Sequence, residues 1–264
     1  MHRHLRTTLG VAALLALAAC AREGVTPTTP TDSLDLAAAL DPSVGAFAGQ
    51  ASLPGLTMEP ASTYEGGVRA SDQCAWSPDV RRIVCAPVIR NGLTITRSIV
   101  FLDAAGNPQP RRDETTVSSN TQVTVKGTTT TDRGSRTVDR SSSLTVSGLG
   151  RGATTHTLNG SESGTTTGTF TMREGSATAT ETFTAATKDV VVPVPHARGS
   201  WPLSGTTTRT ATLTLARSGG PTRSTTISEQ VTYTGTSVVN VVITRDGVTR
   251  TCTRNLETHT GTCR

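Results

Sequence analysis

Aromatic side chains are scarce in this chain: two Trp, two Tyr and four Phe among 264 residues. Stacking platforms are correspondingly few. A nucleic-acid partner, which wants a clustered basic face with interleaved aromatics, is not expected. Lys126 and Lys188 are the only lysines, and the remaining positive charge is arginine scattered without a basic block. Apolar residues make up 34%, against roughly 45–50% in ordinary globular domains, which disfavours a deep, compact core. Past the first twenty residues no apolar run approaches the roughly eighteen that a membrane-spanning helix needs. No Cys-x2-Cys pair is present, no Gly-x-Ser-x-Gly elbow joins a strand to a helix, and no Gly-rich phosphate cradle opens a helix. Zinc, hydrolase and nucleotide chemistry are left without their usual motifs.

Thr, Ser and Gly take the place of the missing apolar residues. Threonine is β-branched and suits a pleated, half-wet surface, so the composition points to a broad sheet of little depth. The competing reading is disorder or a Ser/Thr-rich stalk, and the alternation described below argues against it.

The N-terminus has a basic opening (His2, Arg3, His4, Arg6), an apolar run from Leu9, and the tetrad Leu17-Ala18-Ala19-Cys20. Charge, apolar stretch and small-residue cleavage site make residues 1–19 a secretory signal, too short for a permanent span. The tetrad resembles the lipobox of bacterial lipoproteins. That resemblance implies that the Cys20 thiol is acylated and becomes the mature N-terminus, so the chain is held to a membrane by lipid instead of a helix. Ala21 stands where an Asp would imply retention at the inner membrane, so the resemblance implies the outer membrane. An ordinary signal peptide with a chance cysteine is the alternative. Removing residues 1–19, with Arg3 and Arg6, leaves a formal charge of +3 in place of +5, a small excess for a chain of this size.

Four cysteines remain: Cys74 with Cys85, and Cys252 with Cys263. Four cysteines allow three connectivities, and the two equal local spacings favour 74–85 and 252–263, each closing a hairpin outside the cytosol.

Residues 20–31 read as the lipidated cysteine and a polar tether with two prolines, able to extend some 35 Å at ~3.3 Å per residue. Within 32–70, Ser33 to Leu40 predicts a short helix stopped before Pro42, followed by an irregular Gly/Pro-rich segment. Residues 71–264 predict an all-β domain: a large antiparallel meander, as an open sheet or half-barrel. Cys74 to Cys85 frames a hairpin, strands follow over Arg82 to Ile89 and Leu93 to Asp103, and Asn91-Gly92 is a strong two-residue turn. Ala104 to Pro110 reads as a turn. Val117, Ser119, Thr121, Val123 and Val125 share one parity, as do Val138, Ser142, Leu144 and Val146, then Ala179, Glu181, Phe183 and Ala185, and again Ala211, Leu213 and Leu215. Val190 to Pro195, with two prolines, is expected at an edge or crossing. The richest apolar face lies in the last third, through Ile227, Val231, Tyr233, Val239, Val241 and Ile243. Pro202-Leu203-Ser204-Gly205-Thr206, leading through a meander to Cys252 and Cys263, is similar to uncharacterised β-rich secreted bacterial lipoproteins, a resemblance that implies no activity.

No catalytic, metal or cofactor site is expected. His156, His196 and His259 lack a second ligand at metal spacing and are read as surface or structural. Asp132, Asp139, Glu162, Glu174 and Glu181 are scattered and read as solvated carboxylates in preference to a glycosidase pair. Asp72, Asp79 and Asp103 do not match a calcium loop. Trp76 and Trp201 are read as packing anchors, with sugar stacking as the alternative. Three functions stand open: a non-catalytic lipoprotein with a structural, adhesive or binding role in the envelope; a half-barrel carrier whose apolar face, including Phe170, Phe183 and Leu213, holds a lipid or other apolar molecule; and a hydrolase with an unrecognised site. If the lipobox resemblance holds, labelled palmitate fed to the native host enters the wild-type chain and not Cys20→Ser, as read by autoradiography of the immunoprecipitated protein.

Overall fold

A computed structural model of the chain describes residues 73–264, apart from 133, 173–174, 197–198 and 259. The expected signal peptide, tether, short helix and irregular segment, and the first two residues of the expected domain, lie outside the described residues.

The described chain is all-β, with no helix, and forms one open antiparallel sheet of fourteen strands. In order these are β1 (Cys74–Ser77), β2 (Arg82–Cys85), β3 (Val88–Arg90), β4 (Leu93–Leu102), β5 (Pro108–Gln109), β6 (Ser118–Thr131), β7 (Gly134–Ser147), β8 (Thr155–Met172), β9 (Gly175–Pro193), β10 (Ser204–Arg217), β11 (Arg223–Thr232), β12 (Val238–Arg245), β13 (Val248–Asn255) and β14 (Gly261–Cys263). From β7 onward each strand pairs with its sequence neighbours, as a meander requires, while β6 pairs with β4, and β2, β3 and β5 line up along the other side of β4. Ala86-Pro87 breaks the expected Arg82–Ile89 strand into β2 and β3, since proline has no donor for the ladder. The expected turn at Ala104 to Pro110 also contains β5.

Strand parity sorts the side chains as expected. Ser119 and Thr121 on β6, Val138 and Val146 on β7, and Ala211 and Leu215 on β10 are buried on one face, called the inward face here; register partners share it. Both disulfides, Cys74–Cys85 and Cys252–Cys263, join directly paired residues of the terminal hairpins. The Ala86 amide donates to the Gln73 carbonyl and the Arg264 amide to the Thr251 carbonyl. Each bridge therefore sits at a non-hydrogen-bonded pair, where Cα atoms approach most closely. Short, stapled strands at both sides of a large sheet also blunt it against edge-to-edge association.

Val190 to Pro193 departs from expectation. The segment lies within the sheet, with Val190 and Val192 buried and paired with Leu158 and His156. Only Pro193 belongs to β9, as its last residue, where a lost donor costs little. The device that places these valines is a bulge. Lys188 and Asp189 together oppose Asn159 between the pairs Gly160–Thr187 and Leu158–Val190, Asp189 has φ 50°, and its amide donates to Asn159 Oδ1. The extra residue switches the inward parity from odd (Ala185, Thr187) to even (Val190, Val192). On the other side Gly205 passes so close that a Cβ there would sit 2.4 Å from both the Asp189 carbonyl oxygen and Val190 Cα.

The largest apolar cluster closes the end of the sheet where the longer connections lie. It gathers Val146, Leu149, Leu158, Val190, Val192, Val231, Tyr233, Val239, Val241 and Cys252. A smaller cluster of Ala177, Ala179 and Leu215, with Phe170 and Leu213 against it, sits toward the opposite, tight-turn end. A third, of Ile83, Ile99 and Phe101, packs Trp76, so this tryptophan is a packing anchor.

Gly205→Ala forces both a backbone clash and an unfavourable φ of 104°, and is expected to cost about 3 kcal/mol or more. Gly247→Ala, at φ 84° with nothing within 4 Å, is expected to cost only about 1 kcal/mol. Urea midpoints at unchanged slope check both.

Candidate functional site

Between the two apolar clusters the inward face turns polar. Cross-strand pairing builds one row as Arg140, Gly164, Phe183 and Ala211, and the next as Ser142, Glu162, Ala185, Arg209, Glu229 and Ile243. Small residues flank the long ones, so the long side chains can lie flat along the sheet. Arg140 reaches across Gly164, where an added Cβ would stand 2.7 Å from Arg140 Cγ. Its guanidinium donates to Glu162 Oε1 at 2.5 Å. The Arg209 guanidinium donates to Glu181 Oε1, and both guanidiniums lie over the Phe183 ring, 5.0 and 4.8 Å from its centroid. Phe183 is 3% exposed, so it is roofed by charge and does not line an apolar cavity. Such cation–π contacts strengthen when water is excluded.

Glu229 closes the belt. Arg254 Nη1 stands 3.9 Å from its carboxylate, and burial pushes that carboxyl above its ordinary 4.5, against the opposing pull of Arg254 and Arg209. Nearby, burial also pushes the Tyr233 phenol up, although a hydrogen bond with the Thr207 side chain works the other way. The buried Thr166 hydroxyl has no hydrogen-bond partner. It shares its face with Glu181 and Val138, its register partners.

Two residues read from sequence as solvated carboxylates are therefore corrected. Glu162 and Glu181 belong to the inward face, each with a guanidinium partner and with only 12% and 18% of its side chain exposed. The signal was available: Glu181 shares parity with Ala179 and Phe183, and Arg140 with Val138 and Leu144. The other candidates lie apart from the belt. His156 is buried on β8, opposite Val192, and His196 is exposed in the connection after β9; His259, Glu174 and Asp72 are outside the described residues. Asp79 is in the β1–β2 turn and Asp132 in the β6–β7 turn. Asp139 pairs with Lys126 at 3.1 Å on the outward face. Asp103 accepts from the Ala105 and Asn107 amides and the Asn107 side chain, and the Asn107 side chain leads in holding its carboxyl below the usual range. Trp201 is half-buried before the buried Pro202. Among the described residues no group of three or more His, Cys, Asp or Glu could hold a metal ion.

The outward face is of another kind. Register aligns Thr96, Thr124, Ser141, Ser163, Thr184, Thr210, Ser228, Thr244 and Thr249 in one row, a hydroxyl on every strand from β4 to β13 that takes part in the main meander. A parallel row runs Thr128, Thr137, Thr167, Thr180, Thr214 and Ser224. Several neighbours are hydrogen-bonded in pairs, among them Thr210 with Ser228 at 3.2 Å and Thr244 with Thr249 at 2.9 Å. Adjacent hydroxyls stand one strand spacing apart, about 4.8 Å, and the two rows, four residues apart on each strand, about 13 Å apart along the strands.

No protein-family model, curated protein or solved structure matches the chain.

Because the folded Glu229 carboxyl is raised above its unfolded value, its contribution to stability is full below pH 4.5 and is lost as pH rises through the folded value. Glu229→Gln is expected to remove this loss, giving a melting temperature at pH 7 no lower than wild type. Thermal melts of both proteins across pH 4–7 check it, and a variant that melts clearly lower at pH 7 would refute it.

Proposed function

We propose that the chain is a non-catalytic lipoprotein of the cell envelope, acylated at Cys20 and held at the outer membrane, with a structural, adhesive or binding role for its β domain. The observation that carries the reading is the division of labour between the two faces. The inward face is occupied by the protein's own apolar clusters and paired charges, while the outward face spreads hydroxyls over nine strands that the core does not need. A wide, neutral, hydrogen-bonding surface suits contact with other polar material of the envelope. The two disulfides favour a compartment outside the cytosol, in keeping with the N-terminal tetrad.

A second reading, a half-barrel carrier of a lipid or other apolar molecule, draws on Phe170 and Leu213, which are only partly buried beside the Ala177–Leu215 cluster. Phe183 speaks against it. Its ring is covered by two guanidiniums, and the charged belt lies between the two apolar clusters.

Fractionation of the native host is expected to place the wild-type chain in the outer membrane and to find Cys20→Ser missing from it. Native mass spectrometry of the purified chain is expected to give the acylated polypeptide alone. A stoichiometric apolar passenger would replace this reading with the carrier, and substrate turnover abolished by one point substitution would overturn its non-catalytic part.

A further inference from the structure

The two ends of the sheet differ in charge as well as in connection length. At the tight-turn end, register places Arg217 opposite Ala177, Arg245 opposite Ile227 and Arg250 opposite Ile243, all on the inward face. Arg223, opposite Leu215, joins them, so four adjacent strands, β10 to β13, each present a guanidinium there. Arg217, Arg245 and Arg250 are exposed. The acids at this end among the described residues are Asp132, in the β6–β7 turn, and Asp246. The Asp246 carboxylate lies beside Arg245 and accepts from the Thr225 hydroxyl and the Thr226 amide. Positive charge therefore predominates.

The same turns present an aliphatic side chain to water. Val248, between Arg245 and Arg250 on its hairpin, is 64% exposed. An exposed aliphatic residue set among arginines matches the boundary between headgroups and acyl chains, where the charge meets lipid phosphate and the alkyl group leaves water. Arginine suits this because its planar fork binds phosphate oxygens in pairs.

We infer that the tight-turn end of strands β10 to β13, through Arg217, Arg245 and Arg250 with Val248, is a docking surface for an anionic phospholipid membrane. The choice of lipid as the source of phosphate rests on the proposed acylation at Cys20, which keeps the domain beside a bilayer. Roughly fifty residues separate Cys20 from Gln73, and a chain of that length reaches about 40 Å even as a coil, enough for this end to turn toward the same surface. Contact of this kind gives the protein a second hold besides the acyl group and fixes which end of the sheet faces the lipid.

The test uses the chain from Ala21 onward, which carries neither the signal segment nor the acylated cysteine, with vesicles of phosphatidylglycerol and phosphatidylcholine compared with phosphatidylcholine alone. Co-sedimentation with the anionic vesicles is expected to exceed that with the neutral ones by about tenfold or more at low salt. The excess should fall as the Debye length shortens from ~30 Å at 0.01 M to ~8 Å at 0.15 M salt. Combining Arg217→Gln, Arg245→Gln and Arg250→Gln should remove most of the excess, and Val248→Ser should weaken it further. Equal binding to both vesicle types, or an excess that salt leaves unchanged, overturns the inference whether or not the triple variant folds. So does a folded triple variant that binds like its parent. Loss of binding on adding inorganic phosphate at constant ionic strength marks a site for free phosphate and overturns the assignment to lipid. Palmitate labelling of the wild-type chain reports on acylation separately, so either idea can fail without the other.

Discussion

Strand register is the constraint on which this molecule depends. With one face of a single sheet serving as the core, a slip of one residue would carry every inward side chain to water and every outward one inside. The composition makes that constraint hard to meet, because threonine is tolerated on both faces: Thr121, Thr166, Thr187, Thr207 and Thr225 are buried, while the outward rows are mostly threonine and serine. Along the hydroxyl-rich middle of the strands, shifted and native pairings therefore differ little. Register has to be fixed elsewhere. The valine-rich cluster at one end, the two-residue turns at Asn91-Gly92 and Asp246-Gly247, the directly paired cysteines of the terminal hairpins and the bulge at Asp189 each admit one alignment.

The charged belt adds specificity where it is weakest, in the middle of the strands. Burying Arg140 with Glu162 and Arg209 with Glu181 costs desolvation that their attraction repays only in good geometry, so the pairs are poor candidates for net stabilisation over well-packed apolar residues. A shift that parts them leaves a buried charge uncompensated, which is far more costly than exchanging one threonine for another. Phe183 ties the two pairs together, and Gly164 leaves the space that lets Arg140 reach the ring. The belt acts on alternatives to the fold more than on the fold itself.

Much of this architecture was legible in the sequence because it is written in two-residue alternation and turn chemistry. The strands around Val117–Val125, Val138–Val146 and Ala211–Leu215, and both cysteine pairs, follow from spacing alone. β8 does not show in the alternation. Its inward positions include Gly160, Gly164 and Gly168, so the apolar half of the alternation is missing where neighbouring side chains fill the space. Val190 to Pro195 reads as an edge or crossing because its two prolines outweigh its four valines, and the bulge that brings Val190 and Val192 inward shows in the sequence only as an unremarkable Lys188-Asp189. Glu162 and Glu181 were judged by residue type, although their parity already put them inside. The partner that makes an inward glutamate tolerable sits on another strand and emerges only with the register.

The outward hydroxyl rows bear on what kind of partner the sheet can meet. Each exposed pair contributes only ~0.2–1 kcal/mol, so the rows are weakly required for folding and their regularity follows largely from the register beneath them. Adjacent strands rotate by about 20–25°, and over nine strands the row turns through the better part of half a revolution. A flat, rigid lattice could match two or three strands before diverging, whereas a flexible polar chain, or a contact confined to a few strands, could follow the surface. Four adjacent strands, β10 to β13, turn through only about 60–75°, so a contact confined to their ends is less subject to this limit. One end is closed by the valine-rich cluster and the other presents arginine and the exposed Val248. The chemical polarity of the molecule therefore runs along its strands as well as from face to face, and an orientation relative to a surface is set most economically through an end.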